Sequence, residues 1–314
     1  NMSLGSEGVC SQAYRDVISE LNDRGVLVVV SAGNDTGRRV TSPANCPGVL
    51  AVAGVRHVGT KVGFSNIGPE VAIAAPGGNC VNLSGPCLYS LHTTTNAGSQ
   101  QPTFSTYTNA YNYNVGTSFS APIVAGVAAL VRSVNSRLTP QQTILRLQDA
   151  ATPFPILQGL PPCQDPATYG GEQLECNCTT STCGAGIVNA AAAVAAALRP
   201  FVIAHATPVS PASGQTVSLD GSESFASDGR TITGYQWSVV STGGATPVLT
   251  GAGLANASFV APTAGQIILR LTVTDSEGSQ DSAEVIVNTP APDGPPTQTP
   301  ASMPQSRSGG GGAF

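Results

Sequence analysis

The stretch Val115-Gly116-Thr117-Ser118-Phe119-Ser120-Ala121-Pro122 runs without a break into the apolar pattern Ile123 to Val131. It constrains the chain more than any other segment. The small residues let backbone and ligand come close, and Pro122 suits a first helical turn, where its missing N–H would be unpaired anyway. A helix N-terminus also favours negative charge developing nearby. A serine hydroxyl therefore stands at the mouth of a helix, one of the ways a nucleophilic serine is mounted. The other familiar mounting, the G-x-S-x-G elbow, does not fit, because Ser120 replaces the second glycine and Ala-Pro follows. Taken alone, the same residues read equally well as a helix capped by serine.

Residues Ser11 to Arg24 place Tyr14, Val17, Ile18 and Leu21 at helical spacing, with Gly25 as a stop. Val26 to Val30 and Val49 to Val55 are unbroken apolar runs of strand length. This helix–strand alternation predicts an α/β domain whose mostly parallel sheet is covered on both faces. The first strand ends in Val28-Val29-Val30-Ser31-Ala32-Gly33-Asn34, a small-residue turn closed by an amide. After the serine-bearing helix, Thr139 and Pro140 open a further helix, Gln141 to Ala150. Gly186 to Val188 and the alanine run to Leu198 close a domain of residues 1–199. Residues 200–205 read as a linker. Over 206–288 the period becomes two, as in Val217 to Asp220, Tyr235 to Val239, Ile267 to Asp275 and Ala283 to Val287. Short alternating strands with Gly/Ser/Asp turns predict an all-β sandwich with Trp237 as core anchor. Residues 289–314, rich in Pro, Ser, Thr and Gly, predict a disordered tail.

Together the G-T-S-F-S-A-P and S-A-G-N segments resemble the subtilase (subtilisin-like) serine peptidases. Asn1-Met2-Ser3-Leu4-Gly5, Phe64 to Pro69, Ala74 to Gly77 and Cys183 to Ala190 look like four more segments of that family in the right order. The resemblance implies a subtilisin-like three-layer fold and a secreted endopeptidase. Ser118 would be the nucleophile, and the Asn34 side chain would donate to the oxyanion. Substrate would pair with Ser3, Leu4 and Gly5, and its side chain would enter a pocket walled by Ser31, Ala32 and Gly33. The Arg39 to Ser42 region, Thr41 included, would form the base of that pocket, with Ser42–Pro43 cis. No carboxylate is expected there, so apolar or neutral side chains should be preferred over basic ones.

The family orders its triad Asp, His, Ser, with the first two before the N-M-S-L-G strand, where this chain begins. Asp35-Thr36-Gly37 directly follows the amide and does not match the triad aspartate. His57, His92 and His205 read as surface residues. The chain is thus expected to be the C-terminal part of a catalytic domain, inactive alone. A binding or adhesion protein with a dead peptidase fold is the alternative. The order S-L-D-G-S, Y-x-W, L-T-V-T-D-S-E-G resembles a PKD-type immunoglobulin-like domain. Its Asp220, Asp228 and Asp275 read either as Ca²⁺ contacts or as turn residues. The family's weak cation site pairs a Glu with a nearby Asp. Here Glu70 stands with Ala72, and no metal ligand is assigned.

Charged residues make up 10% of the chain, the net charge is −5 and Lys61 is the one lysine. This argues against nucleic acid or anionic membrane as partner and leaves a protein or peptide substrate. No cofactor is needed for the chemistry, and a monomer is expected. No run of 18 apolar residues predicts a bilayer span. Eight cysteines without paired C-x-x-C spacing predict disulfides in an exported protein, and the resemblance implies a secreted or cell-surface bacterial one. The resemblance implies a Cys10–Cys46 bond. Cys80 with Cys87 would close a short loop. Cys163, Cys176, Cys178 and Cys183 would form two bonds in an undetermined pairing, or a zinc site. The end Ser306 to Phe314 reads either as the start of a glycine-rich sorting signal or as a flexible linker.

Overall fold

A computed structural model of the chain describes residues 1–78, 89, 91–108 and 114–291. The expected Cys80–Cys87 loop and nearly all of the expected tail lie outside the described residues. Two compact units are present, one of residues 1–201 with 225–233 and 274–281, the other of residues 202–224, 234–273 and 282 onward.

In the first unit α1 (Gln12–Asp23) leads to β1 (Val29–Ser31), β2 (Leu50–Val55) and β3 (Ile73–Pro76), which pair in parallel in that order. Met2 adds a parallel bridge to Val30. Every residue of β1 and β2 is buried, as expected of parallel strands covered on both faces. The α/β class is therefore correct. Ser11 caps α1 by accepting from Tyr14 N. Ile18 alone of the expected apolar stripe is buried, packed on the Cys10–Cys46 bridge and Val49. Tyr14 and Val17 are instead 38% and 53% exposed. Val26 is exposed too, because its N–H closes the turn onto Leu21 O. The strand proper begins only at Val29.

Next come an antiparallel hairpin, β4 (Thr93–Asn96) and β5 (Ser105–Thr108), and then the long helix α2 (Thr117–Val134). Helix α2 lies against all three parallel strands and against α3 (Pro140–Asp149) and α5 (Ala190–Ala197), with the short α4 (Pro166–Tyr169) between those two in sequence. By length and composition α2 meets the requirement for crossing a bilayer. Its Val124, Val127 and Val131 are buried, as in the core helix of a folded domain. Pro122 lies inside α2 rather than in its first turn. Gly116 caps the helix without a side chain, so no capping residue marks the start in the sequence. Thr139 and Gln142 form a reciprocal capping box on α3.

Among the described residues three disulfides form, Cys10–Cys46, Cys163–Cys176 and Cys178–Cys183. The first spans 36 residues and stabilises by about 4 kcal/mol through the entropy it removes from the unfolded chain. The last two resolve the open pairing and use the cysteines that a zinc site would need. They pin the segment carrying Gln173 and Leu174, whose carbonyls accept from Lys61 Nζ at 2.7 and 2.9 Å. Val62 O and Gly63 O accept from the same ammonium at 3.0 and 2.9 Å. Lys61 is wholly buried, and burial pushes its ammonium down to about 7. The four carbonyls act in the opposite sense by favouring the charged form.

The second unit is built on β6 (His205–Thr207), β7 (Thr216–Asp220), β8 (Ile232–Thr242), β9 (Asn256–Val260), β10 (Gly265–Asp275) and β11 (Gln280–Thr289). They form two three-stranded sheets, β6-β7-β9 and β11-β10-β8. Alternate residues face inward, namely Ile267, Leu269, Leu271 and Val273 on β10 and Val217 and Leu219 on β7. Trp237 is 1% exposed and donates its indole N–H to Ala255 O at 3.3 Å. The all-β sandwich expected from the period-two pattern is thus present. His205 opens β6 rather than lying in a linker.

Lys61→Met would remove the shared ammonium donor from four carbonyls, of which Val62 O also accepts from Ser65 N–H. It should lower stability by about 2–4 kcal/mol in thermal or urea unfolding of the complete protein. An unchanged midpoint would show that the carbonyls do not depend on the ammonium.

Candidate active site

The parallel strands end at Ser31, Val55 and Pro76, with β1 three residues short of β2 in register, and α2 begins above these carboxyl ends, where α/β sheets usually hold their ligands. Small residues make the approach possible. A Cβ on Gly77 would lie 2.8 Å from Ser120 Oγ and 3.3 Å from Gly116 O, and one on Gly54 would lie 3.5 Å from a Thr117 methyl. Ser120 is buried and donates to Pro76 O at 3.1 Å. Gly116 N donates to Gly77 O at 2.8 Å. Ser120 thus anchors the turn, while Ser118, two residues earlier and half-buried, faces a different side of it.

Asn34 and the start of α2 meet across 83 residues of sequence. The Asn34 amide oxygen accepts from Thr117 N at 2.9 Å and from Thr117 Oγ1 at 3.0 Å. These two bonds assign the oxygen and leave the NH₂ as the outward donor. Ser118 N–H, in the first turn of α2, has no acceptor within the helix. A Cβ built on Gly116 would lie 3.6 Å from Asn34 Nδ2 and 3.7 Å from Ser118 N. Asn34 Oδ1 lies 3.7 Å from the same point, so Gly116 borders both ends of the Asn34 amide and the Ser118 N–H at ordinary contact distance. What requires glycine there is its φ of 133°.

A second amide, not singled out from the sequence, holds the loop after Asn34. Asn66 is completely buried, accepts from Asp35 N at 2.8 Å and donates to Asp35 Oδ2 at 2.7 Å and Arg39 O at 3.0 Å. Its segment, Phe64 to Pro69, stood out in the sequence only as a connection. Thr117 was likewise visible only as a small neighbour of Ser118, since its bonds to Asn34 exist only once the fold is formed.

The other expected residues fall as follows. Ser3 Oγ donates to Ser118 O at 2.8 Å. Leu4 is 53% exposed, and Gly5 stands so close to Thr41 that a Cβ would meet Thr41 Oγ1 at 2.4 Å. Thr41 also lies 3.0 Å from the corresponding point on Gly33, so it fills the floor between the two walls, and it donates to Ala32 O at 3.2 Å. Ser31 and Ala32 are buried, with their N–H groups bonded to Met2 O and Val52 O. Ser42–Pro43 is cis. Beside Thr41 opens a cavity of about 460 Å³ lined by Glu7, Asp35, Arg38, Arg39 and Glu70 among others. Carboxylates and the Arg38 and Arg39 side chains share this lining. The Ser6–Ser42 bridge carries Glu7 there, a contact invisible in the linear sequence.

Of the residues considered as Ca²⁺ contacts, Asp220 and Asp275 bond within their own turns, whereas Asp228 reaches a distant segment. Asp220 Oδ1 accepts from Ser222 N at 2.8 Å, and hydrogen bonds from Ser222 hold its carboxyl below the usual carboxylate range. Asp228 accepts from Ser136 N and Oγ at 2.9 and 3.1 Å. Burial alone would push the Asp275 carboxyl up, but the Arg230 guanidinium at 3.0 Å and the N–H groups of Ser279 and Glu277 outweigh it and hold it down.

A sequence model of the subtilase family matches residues 1–186, and one of a K319L-like PKD domain matches residues 210–289. The chain is 38% identical over 200 residues to a protein named extracellular protease from Xanthomonas campestris pathovar campestris, covering 63% of this chain and 28% of that protein. It is 34% identical to subtilisin NAT of Bacillus subtilis subspecies natto over 48% of this chain and 35% of that protein. It thus spans about a third or less of the length of these relatives. Among solved structures, that of a protease from Pseudoalteromonas arctica superposes with a TM-score of 0.51 at 37% identity, over 63% of this chain and 50% of the other.

Gly33 has φ 112°, and a Cβ there would sit 2.4 Å from Asn66 Nδ2. Gly33→Ala should therefore cost about 2–4 kcal/mol in thermal unfolding. A loss below about 0.5 kcal/mol would show that the turn before Asn34 is not held as described.

Proposed function

Since the chain belongs to the subtilase family, we propose that the complete protein is a secreted bacterial serine endopeptidase in which Ser118 is the nucleophile and Asn34 serves the oxyanion. Ser118 Oγ attacks the scissile carbonyl carbon and loses its proton to a histidine. An aspartate orients that histidine, and both residues are contributed from outside the 314 residues. The carbonyl oxygen takes up negative charge and enters the space between Asn34 Nδ2 and Ser118 N. The histidine then gives the proton to the leaving amine as the C–N bond breaks. Water repeats the sequence on the acyl-enzyme.

The observation that carries this reading is the joint placement of Asn34 and Ser118 N–H beside Gly116. Donors fixed before charge develops stabilise the transition state without reorganising. Substrate backbone would align with residues 3–5, which are exposed between the bridges made by Met2 and Ser6. Extracellular relatives and the disulfides among the described residues support secretion. The cofactor-free chemistry and the monomeric state are parts of the same proposal.

A fluorophosphonate probe should label the complete protein on Ser118, and Ser118→Ala should abolish labelling. Label on another residue would contradict the assignment of Ser118, and none on the intact protein would favour a binding role for a dead peptidase fold. In the unlabelled complete protein, Asn34→Ala should lower kcat by about 100- to 1000-fold with little change in KM, a magnitude taken from subtilisin itself. An effect confined to KM would contradict the oxyanion role.

A further inference from the structure

Pro122 lies four residues after Ser118 within α2. In an uninterrupted helix, the N–H at that position would donate to the Ser118 carbonyl. Proline has none, and its ring crowds the same carbonyl. The missing donor is replaced from 115 residues away, by Ser3 Oγ at 2.8 Å. Asn1 Nδ2 in turn donates to Ser3 Oγ at 3.0 Å, which orients the hydroxyl proton toward Ser118. On either side, Met2 bridges to Val30 and Ser6 to Ser42, so the segment that supplies Ser3 is fixed to β1 and to the floor of the expected substrate slot.

We propose that Ser3 is a positioning residue for Ser118: its hydroxyl substitutes for the helix donor that Pro122 removes and ties the nucleophile's peptide to the segment that carries substrate. The proposal rests on Ser118 being the nucleophile. Holding the Ser118–Phe119 peptide restrains the backbone of Ser118, and with it where the Cα–Cβ bond that carries Oγ stands relative to the slot. Because residues 3–5 are also the edge on which substrate lies, one hydroxyl sets the register between the bound peptide and the attacking oxygen. Attack depends on that register, whereas binding of the peptide backbone does not, so the effect belongs in kcat rather than KM.

The test is a cycle of Ser3→Ala, Pro122→Ala and the double variant in the complete protein, with Ser3→Thr as rescue. Kinetics on a peptide substrate and fluorophosphonate labelling of Ser118 are read for each, alongside the unfolding midpoint. Ser3→Ala should lower kcat about three- to tenfold, the range of one neutral hydrogen bond, with KM within about twofold. Ser3→Thr, which keeps a hydroxyl, should recover most of the loss. In the Pro122→Ala background the restored N–H at position 122 takes over the Ser118 carbonyl, so removing the Ser3 hydroxyl should then cost less than about twofold. A merely structural role would produce equal losses in both backgrounds, and that result would overturn the proposal. An unchanged kcat in Ser3→Ala, or a loss that Ser3→Thr does not recover, would overturn it as well. Failure of the unmodified protein to label at Ser118 would instead overturn the nucleophile assignment on which the proposal stands.

Discussion

The pair of hydrogen bonds from Thr117 to the Asn34 amide oxygen is the contact on which the site depends. It joins the turn leaving β1 to the first residue of α2, two segments that share no local reason to be neighbours. By occupying the oxygen it turns the NH₂ outward beside Ser118 N–H. An amide on an exposed turn would otherwise rotate and spend its donor on water. The orientation of the Asn34 amide is thus fixed by Thr117.

Around that contact the protein uses buried polar groups to hold loops that a parallel sheet leaves irregular. Asn66 binds the loop from Asp35 to Arg39, and Lys61 gathers four carbonyls from the segment after β2 and from the disulfide-pinned insert. Each is fully buried, so each is costly unless satisfied. Both sit on the stretch between β2 and β3, so this short connection stabilises the loop after Asn34 on one side and the insert on the other.

What could be read from the sequence was the chemistry carried by residue identity at fixed spacing. Ser118 before an apolar helix, Asn34 at the end of a buried strand, the Cys10–Cys46 bond and the cis Ser42–Pro43 peptide all belong to continuous motifs or to the family resemblance. The alternation on β7 and β10 showed the sandwich equally well. Features that depend on distant contacts were not legible. Thr117 and Asn66 acquire their roles from bonds to residues 83 and 31 positions away. Glu7 reaches the cavity beside Thr41 only through a bridge at Ser42. The pairing of the last four cysteines depends on a loop path that spacing does not encode. The start of α2 was misplaced because a glycine cap carries no side-chain signal, and that shift is what leaves the Ser118 carbonyl in need of Ser3.

The most direct measurement is the crystal structure of the complete protein after reaction with a peptide boronic acid, which forms a tetrahedral adduct with a serine nucleophile. The account predicts a bond from Ser118 Oγ to boron, with one boronate oxygen about 2.7–3.1 Å from both Asn34 Nδ2 and Ser118 N. An adduct on another residue, or a boronate oxygen directed away from Asn34 while Thr117 still holds its amide, would contradict it.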